Sequence, residues 1–206
     1  MKLLVASAIT SPVLVFVVGT VMSVSAYQHQ PAPVIPTLSP ALADALNPPA
    51  EFIPMYVEAA VHCPGSPWPL YEAIHFQETR LHGDIDPADQ GEVSSAGALG
   101  PMQFMPGTWT QYGNGGNIYL VKDAISAAGR LLCANGAANP AATYKPDPSG
   151  TCPNGIPTGG IPGAIYAYNH DCSKNGYVDQ VLANMTGLID KIAQQATAAV
   201  PTPAVH

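Results

Sequence analysis

The chain has 206 residues, a formal charge of −7 and only 10% charged residues, a length that allows one domain of ordinary size with a remainder. An acidic balance without any basic run argues against nucleic acid as a partner. The four cysteines, Cys63, Cys133, Cys152 and Cys172, show no C-x-x-C or Cys/His spacing of zinc-site type, so two disulfides in an oxidising compartment are expected and a metal site is not.

Taken in order, the chain opens on an apolar run. Lys2 is followed by an uncharged stretch from Leu3 to Val24, long enough to span a bilayer. Val24-Ser25-Ala26 is small enough for a cleavage site, so residues 1–26 read as a transmembrane anchor or a signal peptide. Either reading delivers the remainder outside the cytoplasm, membrane-anchored or secreted. Residues 27–49 carry Pro31, Pro33, Pro36, Pro40, Pro48 and Pro49 among small and polar residues, the composition of a semi-rigid linker. Residues 50–195 are the folded domain, and 196–206 form an Ala/Thr/Pro tail that frays.

The folded part reads as mostly α-helical. Helices are predicted over 51–62 and from an N-cap at Ser66, with Pro67 at the first helical position, to Leu81. A Gly/Asp/Ser-rich loop over 83–100 has room for a small hairpin between 84 and 98. Pro106 opens a short helix carrying Trp109. Over 119–135, Val121, Ala124, Ile125, Ala128, Leu131 and Leu132 fall on one helical face, with Gly136 as the stop. Residues 140–162 form an irregular Pro/Gly-rich insertion. A short helix near 163–169 follows, then a long one over 177–195 with Val181, Leu182, Met185, Leu188, Ile189 and Ile192 inward.

On the second helix Leu70, Ala73, Ile74 and Gln77 define an inward stripe that Glu78 extends. A carboxyl facing an interior or a cleft is desolvated, its pKa rises, and it becomes a proton donor near neutral pH. An acid in a fraying last turn that reaches open water fits the same spacing.

The stretch after it narrows the choice. Ser94, the run Gly97-Ala98-Leu99-Gly100-Pro101-Met102-Gln103-Phe104-Met105-Pro106, then Thr108-Trp109 and later Tyr168-Asn169-His170 stand in one order after Glu78-Thr79. Together they resemble the catalytic domain of lytic transglycosylases of the soluble-lytic-transglycosylase (SLT) type, lysozyme-like in fold. Cys63-Pro64-Gly65 with Trp68, Leu132 to Gly136, and Tyr177 to Leu182 are similar to the exported form found in high-GC Gram-positive bacteria. The resemblance covers residues 50 to 190 and rests chiefly on the Gly-Pro-Met-Gln-Phe-Met-Pro run.

It implies a lysozyme-like helical domain with a substrate cleft, acting on peptidoglycan as a monomer without a cofactor. Glu78 would be the sole acid/base of a lyase that cleaves the MurNAc–GlcNAc β-1,4 bond and leaves a 1,6-anhydro-MurNAc end. Thr79, Ser94, Gln103, Met105, Tyr168 and Asn169 would bind substrate, Tyr168 by hydrogen-bonding the catalytic carboxyl. Gln103 has both donors and an acceptor for glycan hydroxyl and acetamide groups. Met102 and Phe104 suit either a sugar platform or plain core. Two alternatives stand beside this reading: a muramidase that hydrolyses the same bond with a second carboxylate among Asp84, Asp86, Asp89 and Glu92, and an inactive wall-binding scaffold.

The resemblance also implies a Cys63–Cys133 disulfide. Two stretches are longer than the family pattern, 141–160 and 170–176, and each brings one cysteine, so Cys152 is expected to pair with Cys172. The segment Tyr112 to Asn117 lacks the acids that a hard cation needs, so no calcium is expected. His62, His75, His82 and His170 are read as surface or hydrogen-bonded histidines.

Overall fold

A computed structural model describes residues 48–88, 93–139 and 141–198. The apolar run 3–24, the linker up to residue 47 and the tail from 199 lie outside the described residues. The transmembrane helix is corrected: no helix among the described residues is long and apolar enough to cross a membrane.

The domain is mostly helical. Its helices are α1 (Ile53–Val61), α2 (Pro69–Thr79), α3 (Pro106–Tyr112), α4 (Val121–Ala134), α5 (Gly160–Asn169) and α6 (Tyr177–Ala198). The first three carry a proline in their first turn, where a missing N–H leaves no bond unmade. Ser66 is not the cap of α2. Its hydroxyl donates to the Cys63 carbonyl at 2.8 Å and meets the Tyr71 hydroxyl at 2.6 Å, and the helix begins at Pro69 instead. A short antiparallel ribbon, β1 (Tyr144–Lys145) with β2 (Ile156–Pro157), pairs Tyr144 with Pro157 and Lys145 with Ile156. Among the described residues no hairpin lies between 84 and 98; this ribbon, inside the stretch read as irregular, is the sheet that exists.

Helix α2 is the axis of the core. Pro69 through His75 are all buried, whatever face they occupy, because α1, α4 and α6 pack around it. Burial therefore runs along this helix rather than down one stripe. Residues Phe76 to Thr79 are half-buried, where the helix leaves the core. On α4, by contrast, the apolar face is the buried one: Val121, Ala124, Ile125, Ala128, Leu131 and Leu132 all face inward. Its N-terminus is capped from a distance by Asp84, whose Oδ1 accepts the Val121 N–H at 2.8 Å; an aspartate there satisfies an unpaired N–H and opposes the helix dipole. On α6, Val181 and Leu188 are buried, but Ile189 is 38% exposed and faces out.

Two consequences can be measured. A Cβ on Gly129 of α4 would sit 2.7 Å from the Ala59 carbonyl oxygen of α1, and backbone cannot give way as a side chain tip does. Gly129→Ala is expected to cost about 2 kcal/mol through overpacking, read as a lower midpoint in thermal unfolding. The second concerns Glu72, whose carboxyl is raised to about 7 by burial, with Lys191 pulling it partly back. A raised folded-state pKa stabilises the fold below the unfolded value and loses that contribution as pH rises to the folded one. Stability is thus expected to fall between about pH 4.5 and 7, by about 3 kcal/mol for this group. Glu72→Gln should flatten that dependence and unfold at a higher temperature than the parent at pH 8.

Cys152 and Cys172 are bonded, with Cα atoms 5.1 Å apart, which ties the ribbon insertion to the segment leading into α6. Cys63 and Cys133 are not bonded. The buried Cys63 thiol, pushed up to about 11 by burial, lies in hydrogen-bond contact with that of Cys133, so in this structure the expected disulfide stands as two adjoining thiols.

Candidate active site

Where α2 leaves the core, the chain turns through Arg80 and Leu81, both with positive φ (58° and 66°), and the Arg80 N–H closes the helix on the Phe76 carbonyl at 3.0 Å. This sharp stop leaves Glu78 in the last turn, facing an open groove of about 300 Å³ lined by Glu78, Thr79, Arg80, His82, Ser94 and Gln103, with Val93 beside them. Residues from three separate stretches of sequence meet there.

The far wall is the glycine-rich loop. Leu99 and Phe104 exchange backbone hydrogen bonds at 2.9 and 2.8 Å, and the Gln103 N–H donates to the Gly100 carbonyl at 3.0 Å, folding the residues between into a tight turn. Gly100 is required here: its φ is +75° and a Cβ would lie 2.0 Å from the Ile118 carbonyl oxygen. Gln103 has φ +48°, and its side-chain amide donates back to the Gly100 carbonyl at 2.9 Å. The turn is pinned from both sides. Thr79 Oγ1 donates to the Pro101 carbonyl at 2.7 Å, and the Tyr168 hydroxyl donates to the Met102 carbonyl at 2.7 Å. Met102 and Phe104 are buried; they are core rather than sugar platform, Phe104 packing edge-on against Trp109 and Tyr168.

Ser94 shapes the start of the same loop. Its Oγ accepts the Ala98 N–H at 2.9 Å, and its backbone pairs with that of Ala98. Met105 is 45% exposed and precedes α3 without lining the groove. Asn169 is exposed at the end of α5 and does not join it either. Of the residues singled out in the sequence, the structure therefore brings Glu78, Thr79, Ser94 and Gln103 to one groove, sets Tyr168 behind its wall, and leaves Met105 and Asn169 outside it.

The electrostatics centre on Glu78. Burial raises its carboxyl to about 7, and a hydrogen bond from the Tyr177 hydroxyl holds it lower than burial alone would. That bond, Tyr177 Oη to Glu78 Oε1, corrects the role given to Tyr168: the tyrosine that grips the acid is Tyr177, and Tyr168 grips the loop. Tyr168 and Tyr177 are both held well above the ordinary tyrosine range, first by burial and then by the nearby Glu78 charge, so both stay protonated donors. In sequence Tyr177 opens a helix and the Tyr177 to Leu182 stretch of the resemblance, with no role attached to it; 99 residues separate it from Glu78, and nothing in helical periodicity reports such a contact.

Tyr177 is itself placed by a turn. The Asp171 carboxylate accepts the Ser173 N–H and hydroxyl at 3.0 and 2.6 Å and the Tyr177 N–H at 3.1 Å. Asp171 thereby fixes the first residue of α6. Of the acids that would assist a hydrolytic reaction, Asp84 is engaged in capping α4 and Asp86 accepts the Ala88 N–H at 2.9 Å; Asp89 and Glu92 lie outside the described residues.

No protein-family model, curated protein or solved structure matches the chain.

Proposed function

We propose that this chain is an exported peptidoglycan lytic transglycosylase with a lysozyme-like catalytic cleft. The observation that carries the reading is one carboxyl, Glu78, kept protonatable near neutral pH at an open groove and held by Tyr177. Burial with a donor on one oxygen leaves the other oxygen to carry the proton toward the groove.

In the proposed reaction Glu78 gives its proton to the glycosidic oxygen between MurNAc and GlcNAc as the C1–O bond breaks. The resulting carboxylate takes the proton of the muramoyl C6 hydroxyl, whose oxygen bonds to the anomeric carbon and closes the 1,6-anhydro ring. Glu78 ends protonated, as it began. Glycosidases that use water need a second carboxylate across the bond; here the nucleophile belongs to the substrate, and one acid suffices. The fixed loop, with Gln103 at the groove, supplies polar contacts for the glycan. The Cys152–Cys172 bond supports an oxidising, extracytoplasmic setting.

Digestion of purified peptidoglycan followed by mass spectrometry tests the reading. Fragments ending in anhydro-muramic acid, one water lighter than hydrolysis products and without a reducing end, are expected. Reducing-end fragments would assign the chain to the muramidases, and intact walls would leave it a scaffold.

A further inference from the structure

Six residues before Glu78, on another side of α2, lies a second acid that the proposed chemistry does not use. Glu72 is only 6% exposed, and no protein donor reaches its carboxyl among the described residues. Its oxygens are not sealed off, so what solvates this acid must come to it from outside the protein. Its remaining surface opens into a cavity of about 190 Å³ between α2 and α6, lined by Glu72, Phe76, Asn184, Gly187, Leu188 and Lys191. Lys191 is exposed at the rim, close enough to act on Glu72 electrostatically but not paired with it. Gly187 is the second peculiarity. A glycine inside a helix costs about 1 kcal/mol relative to alanine, yet a Cβ there would meet nothing within 4 Å. Packing does not demand it; the missing side chain keeps the cavity open.

The lining has an acid at its floor, a base and an amide at its mouth, and apolar walls from Phe76 and Leu188. A simple cation would meet Lys191 on entry, and a simple anion would meet Glu72 inside. A small molecule carrying both charges on one carbon satisfies both. We propose that this cavity binds the zwitterionic head of an α-amino acid, its ammonium on Glu72 and its carboxylate toward Lys191 and Asn184. The volume is below that of pockets for drug-sized ligands, which suits a small head group. Two sources present this chemistry: a free amino acid, and the unlinked diamino-acid end of a wall peptide. Only the second rests on the reading of the chain as a wall enzyme.

Calorimetric titration of the full chain at pH 8 tests the site, with alanine, with meso-diaminopimelate, with a muropeptide whose diamino acid is unlinked, and with N-acetylalanine, which lacks the ammonium. Saturable binding with a Kd of about 1 mM is expected for the zwitterions and none for N-acetylalanine. Glu72→Gln and Gly187→Leu should each weaken it tenfold or more. Neither change removes a core contact, and the first is expected to stabilise the fold at this pH. Binding confined to the diamino acid and the muropeptide assigns the wall peptide; equal binding of alanine assigns the free amino acid. Absence of saturation by all three zwitterions, equal binding of N-acetylalanine, or unchanged affinity in both variants overturns the proposal. A chain that fails to cleave walls yet binds alanine through Glu72 would sink the catalytic reading and leave this one standing.

Discussion

Glu78→Gln is expected to fold as the parent does and to lose about 10³-fold in the rate of wall cleavage, the scale of a lost general acid/base. Glutamine keeps the shape and still offers an oxygen to the Tyr177 hydroxyl, but its amide neither gives nor takes the proton. The substitution also removes a carboxyl that burial has raised to about 7, so unfolding at pH 8 should occur at no lower a temperature than in the parent. Loss of turbidity from purified walls measures the rate, and circular dichroism checks the fold. A variant that clears walls at the parental rate would mean that some other group moves the proton.

Tyr177→Phe has the second largest expected effect and a distinctive pH signature. The Tyr177 hydrogen bond favours the ionised form of Glu78 and so holds its pKa down. Removing the bond lets that pKa climb by about one unit, since a hydrogen bond to a charged group contributes about 1.5 to 3 kcal/mol. The reaction starts from protonated Glu78, so its rate declines as pH rises through that pKa. In Tyr177→Phe the alkaline limb should move upward. The rate at its maximum should drop about 10²-fold, because the carboxyl is no longer held at one angle to the bond it protonates. Tyr168→Phe makes the contrast: it frees the Met102 carbonyl and loosens the loop, reducing activity without moving the limb. Rate–pH profiles of the two variants separate the roles, and a limb that moves in Tyr168→Phe alone would reverse the assignment.

The mostly helical class and the inward face of α4 were legible because they follow from local periodicity: Val121 through Leu132 repeat at helical spacing, and the fold buries that face. The position of Glu78 was legible for a reason that periodicity states poorly. The stripe on α2 is not a stripe, since Glu72 and His75 are buried beside Leu70 and Ile74, and Glu78 is half-buried because the helix emerges there. The glycine-rich run announced a loop near the groove, and the structure shows what its glycine permits, a turn pressed against Ile118. What sequence concealed was long-range. The side chain that grips Glu78 is set by a turn at residues 171–176, and the carboxylate of Asp84 is engaged by a helix 37 residues further on. Both depend on which backbone groups were left unpaired by packing, and no window of neighbouring residues records that.

Tyr177 hangs from Asp171 at the first position of a 22-residue helix, and this makes the six steps between them a ruler. One residue added or removed would swing the start of α6 by about 100° and carry the phenol away from Glu78. In the β1–β2 ribbon the bond to Cys172 holds Cys152, but the exposed residues 148–151 at the tip set no register for α6. Among descendants of this chain, indels should collect at that tip and be absent between 171 and 177.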